Sequence, residues 1–290
     1  MLTEARNPRT TDIDRRSTVE ILEAMNDEDA TIAGVVRAAL PQIAQAVEAI
    51  TEKLHSGGRL IYAGAGTSGR LAMLDAVECV PTFSTSPELV VALIAGGNKA
   101  LTQAVEGAED NREAGRDDLL NLNVSASDAV VGIAASGKTP YVLGVLETAN
   151  SIGAVSIALS CNAPAPMLDL AQIAIPAVVG PEVITGSTRL KAGTAQKLIL
   201  NMLSTATMIK LGKVYGNLMV DVMVTNAKLA DRARRIVVEV TGVSYEEATH
   251  LLEQCDQQVK VAIVVALLRL SPDEARERLQ RQNGHLTQVL

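Results

Sequence analysis

The sequence predicts an α/β protein: a doubly wound, five-stranded parallel sheet followed by a small C-terminal helical bundle. Three observations lead there. Between residues 59 and 179, five short and nearly continuous apolar runs alternate with helix-like stretches. Each run ends in Gly, Ser or Pro, as expected of strands buried on both faces of a parallel sheet. Past about residue 226 the β-like runs stop and only helical periodicity remains.

From Ser17 to Leu54, apolar residues recur at spacings of three and four: Ile21, Leu22 and Met25, then Ile32, Val35, Val36, Leu40, Ile43, Val47 and Ile50. These are leading helices, with Pro41 marking a break or a first turn. After Gly57-Gly58 the predicted strands cover residues 59–63, 89–95, 129–134, 154–159 and 173–179. A long helix is predicted over 189–211, preceded by the hydroxyl-bearing turn Thr185-Gly186-Ser187-Thr188. Ser244-Tyr-Glu-Glu247 and Ser271-Pro-Asp-Glu274 are capping-box patterns. They predict helices near 228–240, 245–254 and 259–270 and one from Pro272, with the residues from Gln282 onward expected to fray. The resulting division is 1–54 for the leading helices, 55–226 for the sheet domain and its long following helix, and 227–290 for the helical bundle.

Composition narrows the function. The chain has 290 residues, 48% of them hydrophobic and only 2% aromatic, so its core must come from Ala, Val, Ile, Leu and Met. A net charge of −7 and few stacking rings argue against nucleic acid as a partner. Cys79, Cys161 and Cys255 are odd in number and far apart, which fits reduced thiols better than a disulfide framework. No H-x-x-x-H or C-x-x-C spacing is present, so neither a metal nor another cofactor is expected. The N-terminus lacks a secretory pattern, and no apolar run approaches the roughly 20 residues of a membrane span. A cytoplasmic protein with no membrane partner is expected.

Two loops carry the chemistry. Gly64-Ala-Gly-Thr-Ser-Gly-Arg70 follows the first predicted strand, and Ala135-Ser-Gly-Lys-Thr-Pro140 follows the third. Small residues let the backbone approach a phosphate, hydroxyls add donors, and a following helix offers unpaired N–H groups. Neither loop fits a nucleotide-triphosphate signature, and no acidic residue ends the second strand as a dinucleotide site would require. A small phosphorylated molecule is therefore the predicted partner. Thr67, Ser68, Ser136, Gly137, Lys138 and Thr139 are its predicted contacts.

Gly64–Arg70, Ile94-Ala-Gly-Gly97, Ala104-Val-Glu-Gly-Ala-Glu-Asp110, Gly132-Ile-Ala-Ala-Ser-Gly-Lys-Thr-Pro-Tyr141, Lys191-Ala-Gly-Thr-Ala-Gln-Lys197 and Gly216-Asn-Leu-Met-Val-Asp221 together resemble the N-acetylmuramic acid 6-phosphate etherases over nearly the whole chain. The resemblance implies a sugar isomerase (SIS) domain with a helical tail, working as a homodimer. It implies cleavage of the D-lactyl ether of the sugar phosphate, giving N-acetylglucosamine 6-phosphate and D-lactate in cell-wall sugar recycling. It also implies two catalytic carboxyl groups, matching Glu78 and Glu109. Glu109 is assigned as the base at C2 and Glu78 as the acid at the ether oxygen. Lys191 is a candidate donor to the substrate. Rival readings are a sugar-phosphate sensor and an aldose–ketose isomerase.

One geometric difficulty is visible in advance. Glu78 stands ten residues past Ser68, roughly 15 Å along an unbroken helix at about 1.5 Å per residue. The phosphate is therefore expected mainly at Ser136–Thr139, and a site shared between subunits would resolve the distance.

Overall fold

The computed structural model describes residues 1–290. Three helices lead: α1 (Thr18–Asp29), α2 (Ile32–Ala38) and α3 (Leu40–His55). Strands and helices then alternate through β1 (Leu60–Gly64), α4 (Gly66–Phe83), β2 (Val90–Ile94), α5 (Arg112–Asn121), β3 (Ala129–Ala134), α6 (Pro140–Ile152), β4 (Val155–Ser160), α7 (Pro166–Leu170) and β5 (Ile173–Pro176). The long α8 (Lys191–Lys210) follows. The tail comprises α9 (Ala227–Thr241), α10 (Tyr245–Gln254), α11 (Val259–Leu268), α12 (Pro272–Arg281) and α13 (Leu286–Val289).

The five strands form one parallel sheet in the order β2-β1-β3-β4-β5. After β2 the chain crosses back over β1 to place β3 on its other side, so the strand order reverses between β1 and β3. In doubly wound sheets the crevice beyond the carboxyl ends of such strands is where ligands bind. The register sharpens this, because Gly64 pairs with Ile133 and the two strands therefore end level. Every residue of β1 and of β3 is buried, which explains their unbroken apolar character. Ile61, Val130, Tyr141, Val145 and Leu146 belong to the core between this sheet and the helices on one face.

Two compact units emerge. One contains Met1–Ala76 and Glu88–Ser204, the other Val77–Pro87 and Thr205–Leu290. The division thus falls inside α8 and takes the end of α4 with the tail, whereas the sequence placed it at 226. Apolar periodicity runs through α8 without a break, so nothing local marks the change.

Ser17 and Glu20 close a full capping box on α1, as Ser271 and Glu274 do on α12. At α10 only Ser244 acts, accepting from Glu247 N at 3.1 Å. The expectation of a fraying C-terminus is overturned. Leu286 and Val289, three residues apart on α13, are both buried in the tail's core with Val237, Ile263 and Leu279. No single helix is long and apolar enough to cross a membrane.

Candidate active site

The carboxyl ends of β1 and β3 open into a cavity of about 630 Å³. The chain leaves β1 at Gly64 and enters α4 within two residues, through Gly66 at φ +52°. The first-turn N–H groups of α4 therefore start at the cavity with no intrahelical acceptor. Thr67 and Ser68 line it. Ser68 is nearly buried, and its hydroxyl donates to Gln196 Oε1 on α8 at 2.9 Å. That bond fixes the rotamer and turns the Ser68 oxygen into an acceptor.

The loop after β3 is tighter. Gly137 has φ +69°, and a Cβ there would stand 2.4 Å from Ala165 Cβ and 2.5 Å from Ser160 Oγ. Both the conformation and the close approach demand glycine. Ser136 Oγ lies 3.4 Å from Thr139 Oγ1 and accepts from Lys138 N at 3.3 Å. Thr139 is the N-cap residue of α6, yet its side chain makes no capping bond. Its hydroxyl stays beside that of Ser136. Pro140 fills the first helical position, where the missing N–H costs nothing. Ser136, Lys138 and Thr139 all line the cavity, so one wall presents two hydroxyls, an ammonium and a helix N-terminus.

Glu109 lines the same cavity. It sits on a single 3₁₀ turn, Ala108–Asp110, entered through Gly107 at φ +73°. Asn111 immediately afterwards caps α5 by accepting from Ala114 N at 2.9 Å. The carboxylate is thus held between a glycine hinge and a fixed helix start.

Two expected residues lie elsewhere. Glu78 is exposed on α4, which runs unbroken from Gly66 to Phe83, and is not among the residues lining the cavity. Its neighbours on the helix surface, Leu74 and Val77, are 52% and 59% exposed. Lys191 does not line the cavity either: it opens α8 with its ammonium buried 2.5 Å from Glu28 Oε2, the two side chains 3% and 2% exposed. A substrate would have to break that pair to use it. Burial pushes the Glu28 carboxyl up, but hydrogen bonds from Lys191 and Asn7 and the charges of Lys191 and Arg9 outweigh it and hold the group below its ordinary value.

The sequence reading missed Glu4, Asp110 and Thr188 in the cavity wall, and Gln196 behind it. The hydroxyl-bearing turn ending at Thr188 was a usable signal. Glu4 had none, since it arrives through long-range contacts of the N-terminal segment.

The profile of the glucokinase regulatory protein N-terminal SIS domain matches residues 42–150, a stretch that holds both loops and both glutamates. An N-acetylmuramic acid 6-phosphate etherase of Vibrio vulnificus is 58% identical over 290 residues, covering 100% of this chain and 97% of its own. The chain belongs to the N-acetylmuramic acid 6-phosphate etherase family. The etherase of Mycolicibacterium smegmatis is 57% identical, with 98% and 95% covered, and that of Clostridium beijerinckii 53%, with 100% and 95% covered. Solved structures support the fold of this etherase-family chain. A phosphoheptose isomerase from Neisseria gonorrhoeae has a TM-score of 0.52 at 16% identity, covering 66% of this chain and 98% of that one. A putative sugar-phosphate isomerase from Listeria monocytogenes has a TM-score of 0.51 at 17% identity, covering 68% and 93%.

Proposed function

We propose that this chain cleaves the D-lactyl ether of N-acetylmuramic acid 6-phosphate with water, releasing N-acetylglucosamine 6-phosphate and D-lactate during cell-wall sugar recycling. The observation that carries the reading is one cavity holding the Ser136–Thr139 anion loop and the Glu109 carboxylate together. Full-length likeness to etherases at 53–58% identity supports the substrate.

In chemical terms the protein is a carbon–oxygen lyase that also hydrates its product. An alkoxide leaves an ether poorly, and direct hydrolysis would develop little charge for the protein to stabilise. Once the sugar is open, its C1 aldehyde acidifies the C2 hydrogen. Ser136, Lys138 and Thr139 hold the phosphate, and Thr67 and Ser68 meet the sugar. Glu109 takes the C2 proton, an acid protonates the departing lactate oxygen, and water adds across the C2=C3 bond. Each acid–base group of this kind is typically worth about 10²–10⁴-fold in rate.

The acid is Glu78, delivered by a second copy of the chain. Its exposure, and the exposed Leu74 and Val77 beside it, suit a helix face that a homodimer covers. An isomerase would also abstract at C2 but would leave the ether intact, and a sensor would need no base. None of the three cysteines is in a disulfide, which suits the cytoplasm. Incubating the protein with N-acetylmuramic acid 6-phosphate in deuterium oxide should release D-lactate and leave one deuterium at C2 of the product. Deuterium uptake without lactate would mean an isomerase, and neither signal would mean a sensor.

A further inference from the structure

Residues 2–10 are tied down by side-chain hydrogen bonds and an ion pair to distant parts of the chain. Asn162 Oδ1 accepts from Leu2 N at 2.8 Å and Thr3 N at 3.4 Å. Its amide nitrogen donates to Thr3 Oγ1 and to Ala135 O, both at 2.8 Å. One side chain thereby joins the segment to the residue preceding Ser136. Thr3 is fully buried, and its carbonyl accepts from Gly186 N at 3.3 Å. Further along, Arg9 pairs with Glu28, and Thr10 Oγ1 donates to Val183 O at 2.9 Å.

This strap delivers Glu4 to the cavity. The carboxylate stands at the Gly186 wall, with Oε2 3.0 Å from where a Gly186 Cβ would be. An ionised carboxylate only accepts hydrogen bonds, so it cannot serve the phosphate or the lactyl carboxylate. It suits a sugar hydroxyl.

The proposed elimination needs the pyranose opened first, and opening needs a base at the anomeric oxygen. None of His55, His250 and His285 lines the cavity, Lys138 is committed to the phosphate, and Glu109 to C2. Asp110 shares the short turn of Glu109, whereas Glu4 enters on a separate wall. Resting on the etherase reading, we propose that Glu4 opens the sugar ring. Its carboxylate takes the proton of the anomeric hydroxyl, the C1–O5 bond breaks as C1=O forms, and water supplies the proton that O5 gains. Glu4 then returns its proton to water.

Ring opening can be read without any ether cleavage, as α/β anomer exchange of added N-acetylglucosamine 6-phosphate followed by NMR. Wild type should accelerate the exchange. Glu4→Gln should lose about 100-fold or more of it at saturating product, with unchanged melting temperature, and Glu4→Asp should recover part. Exchange at the wild-type rate in Glu4→Gln, loss in Asp110→Asn instead, or no acceleration by wild type would overturn the proposal. Anomer exchange without lactate release from the ether substrate would leave the Glu4 role standing and defeat the etherase reading.

Discussion

Glu109 and Glu78 are both exposed, but one lines the cavity and the other does not. Glu109 stands on a three-residue turn at the carboxyl end of the sheet, between a left-handed glycine and a capped helix, and looks into the cavity. Glu78 stands in mid-helix on α4, exposed, flanked by apolar residues that water covers in a single chain. The first geometry is complete within one copy. The second suits the homodimer proposed above, in which a second copy of the chain would cover it.

The largest expected effect separates their roles. Glu109→Gln should lower lactate release by about 10²–10⁴-fold and abolish deuterium exchange at C2, while Glu78→Gln should lose lactate release by a similar factor yet keep the exchange. The reverse pattern would swap the assignments. Mixing the two variants is the next test: if Glu78 acts across a dimer, random reassortment restores one intact site in half of the dimers, about a quarter of wild-type activity. No recovery would place both carboxyl groups in one chain.

Gly137→Ala probes the wall that Glu109 faces. The left-handed φ and the 2.4 Å approach to Ala165 Cβ should cost about 1–3 kcal/mol of stability, read by denaturant unfolding, and raise KM more than they lower kcat. An effect on stability alone concerns the other face of the helix that bears Glu78. Asp75 is buried there, accepting from Tyr62 Oη at 2.9 Å and Ser204 Oγ at 3.0 Å, and burial lifts its pKa to about 6 despite those bonds. A carboxyl raised in this way favours folding fully below its unfolded value near 4, and that contribution is lost as pH rises through about 6. Asp75→Asn should match wild type at pH 4 and exceed it at pH 7.5 by up to about 3 kcal/mol. Equal stability at both pH values would show that Asp75 ionises without cost.

Much of this was legible in the residues. Each strand appeared as a short, nearly continuous apolar run ending in Gly, Ser or Pro, and two glycine loops carried hydroxyls suited to a phosphate. Topology then did what local pattern could not, by setting β1 beside β3 and bringing the loops to one crevice. The buried pairing of Lys191 was not legible, because a lysine at a helix start reads as a donor and its partner Glu28 lies 163 positions away. Glu4 and Gln196 were invisible for the same reason: both are placed by contacts with residues remote in the chain. The fraying expected past Gln282 failed because polar residues there hide a two-residue apolar repeat that docks.

The Glu28–Lys191 pair has a consequence for how this sequence can drift. Either charge alone, stranded without water, costs about 3–5 kcal/mol, whereas exchanging both for well-fitted apolar residues is often neutral or better. Arg9 also leans on Glu28, so such a double exchange would slacken the N-terminus as well. Natural variants should therefore change positions 28 and 191 in concert and rarely one at a time, leaving a covariation signal between two sites 163 positions apart in the chain.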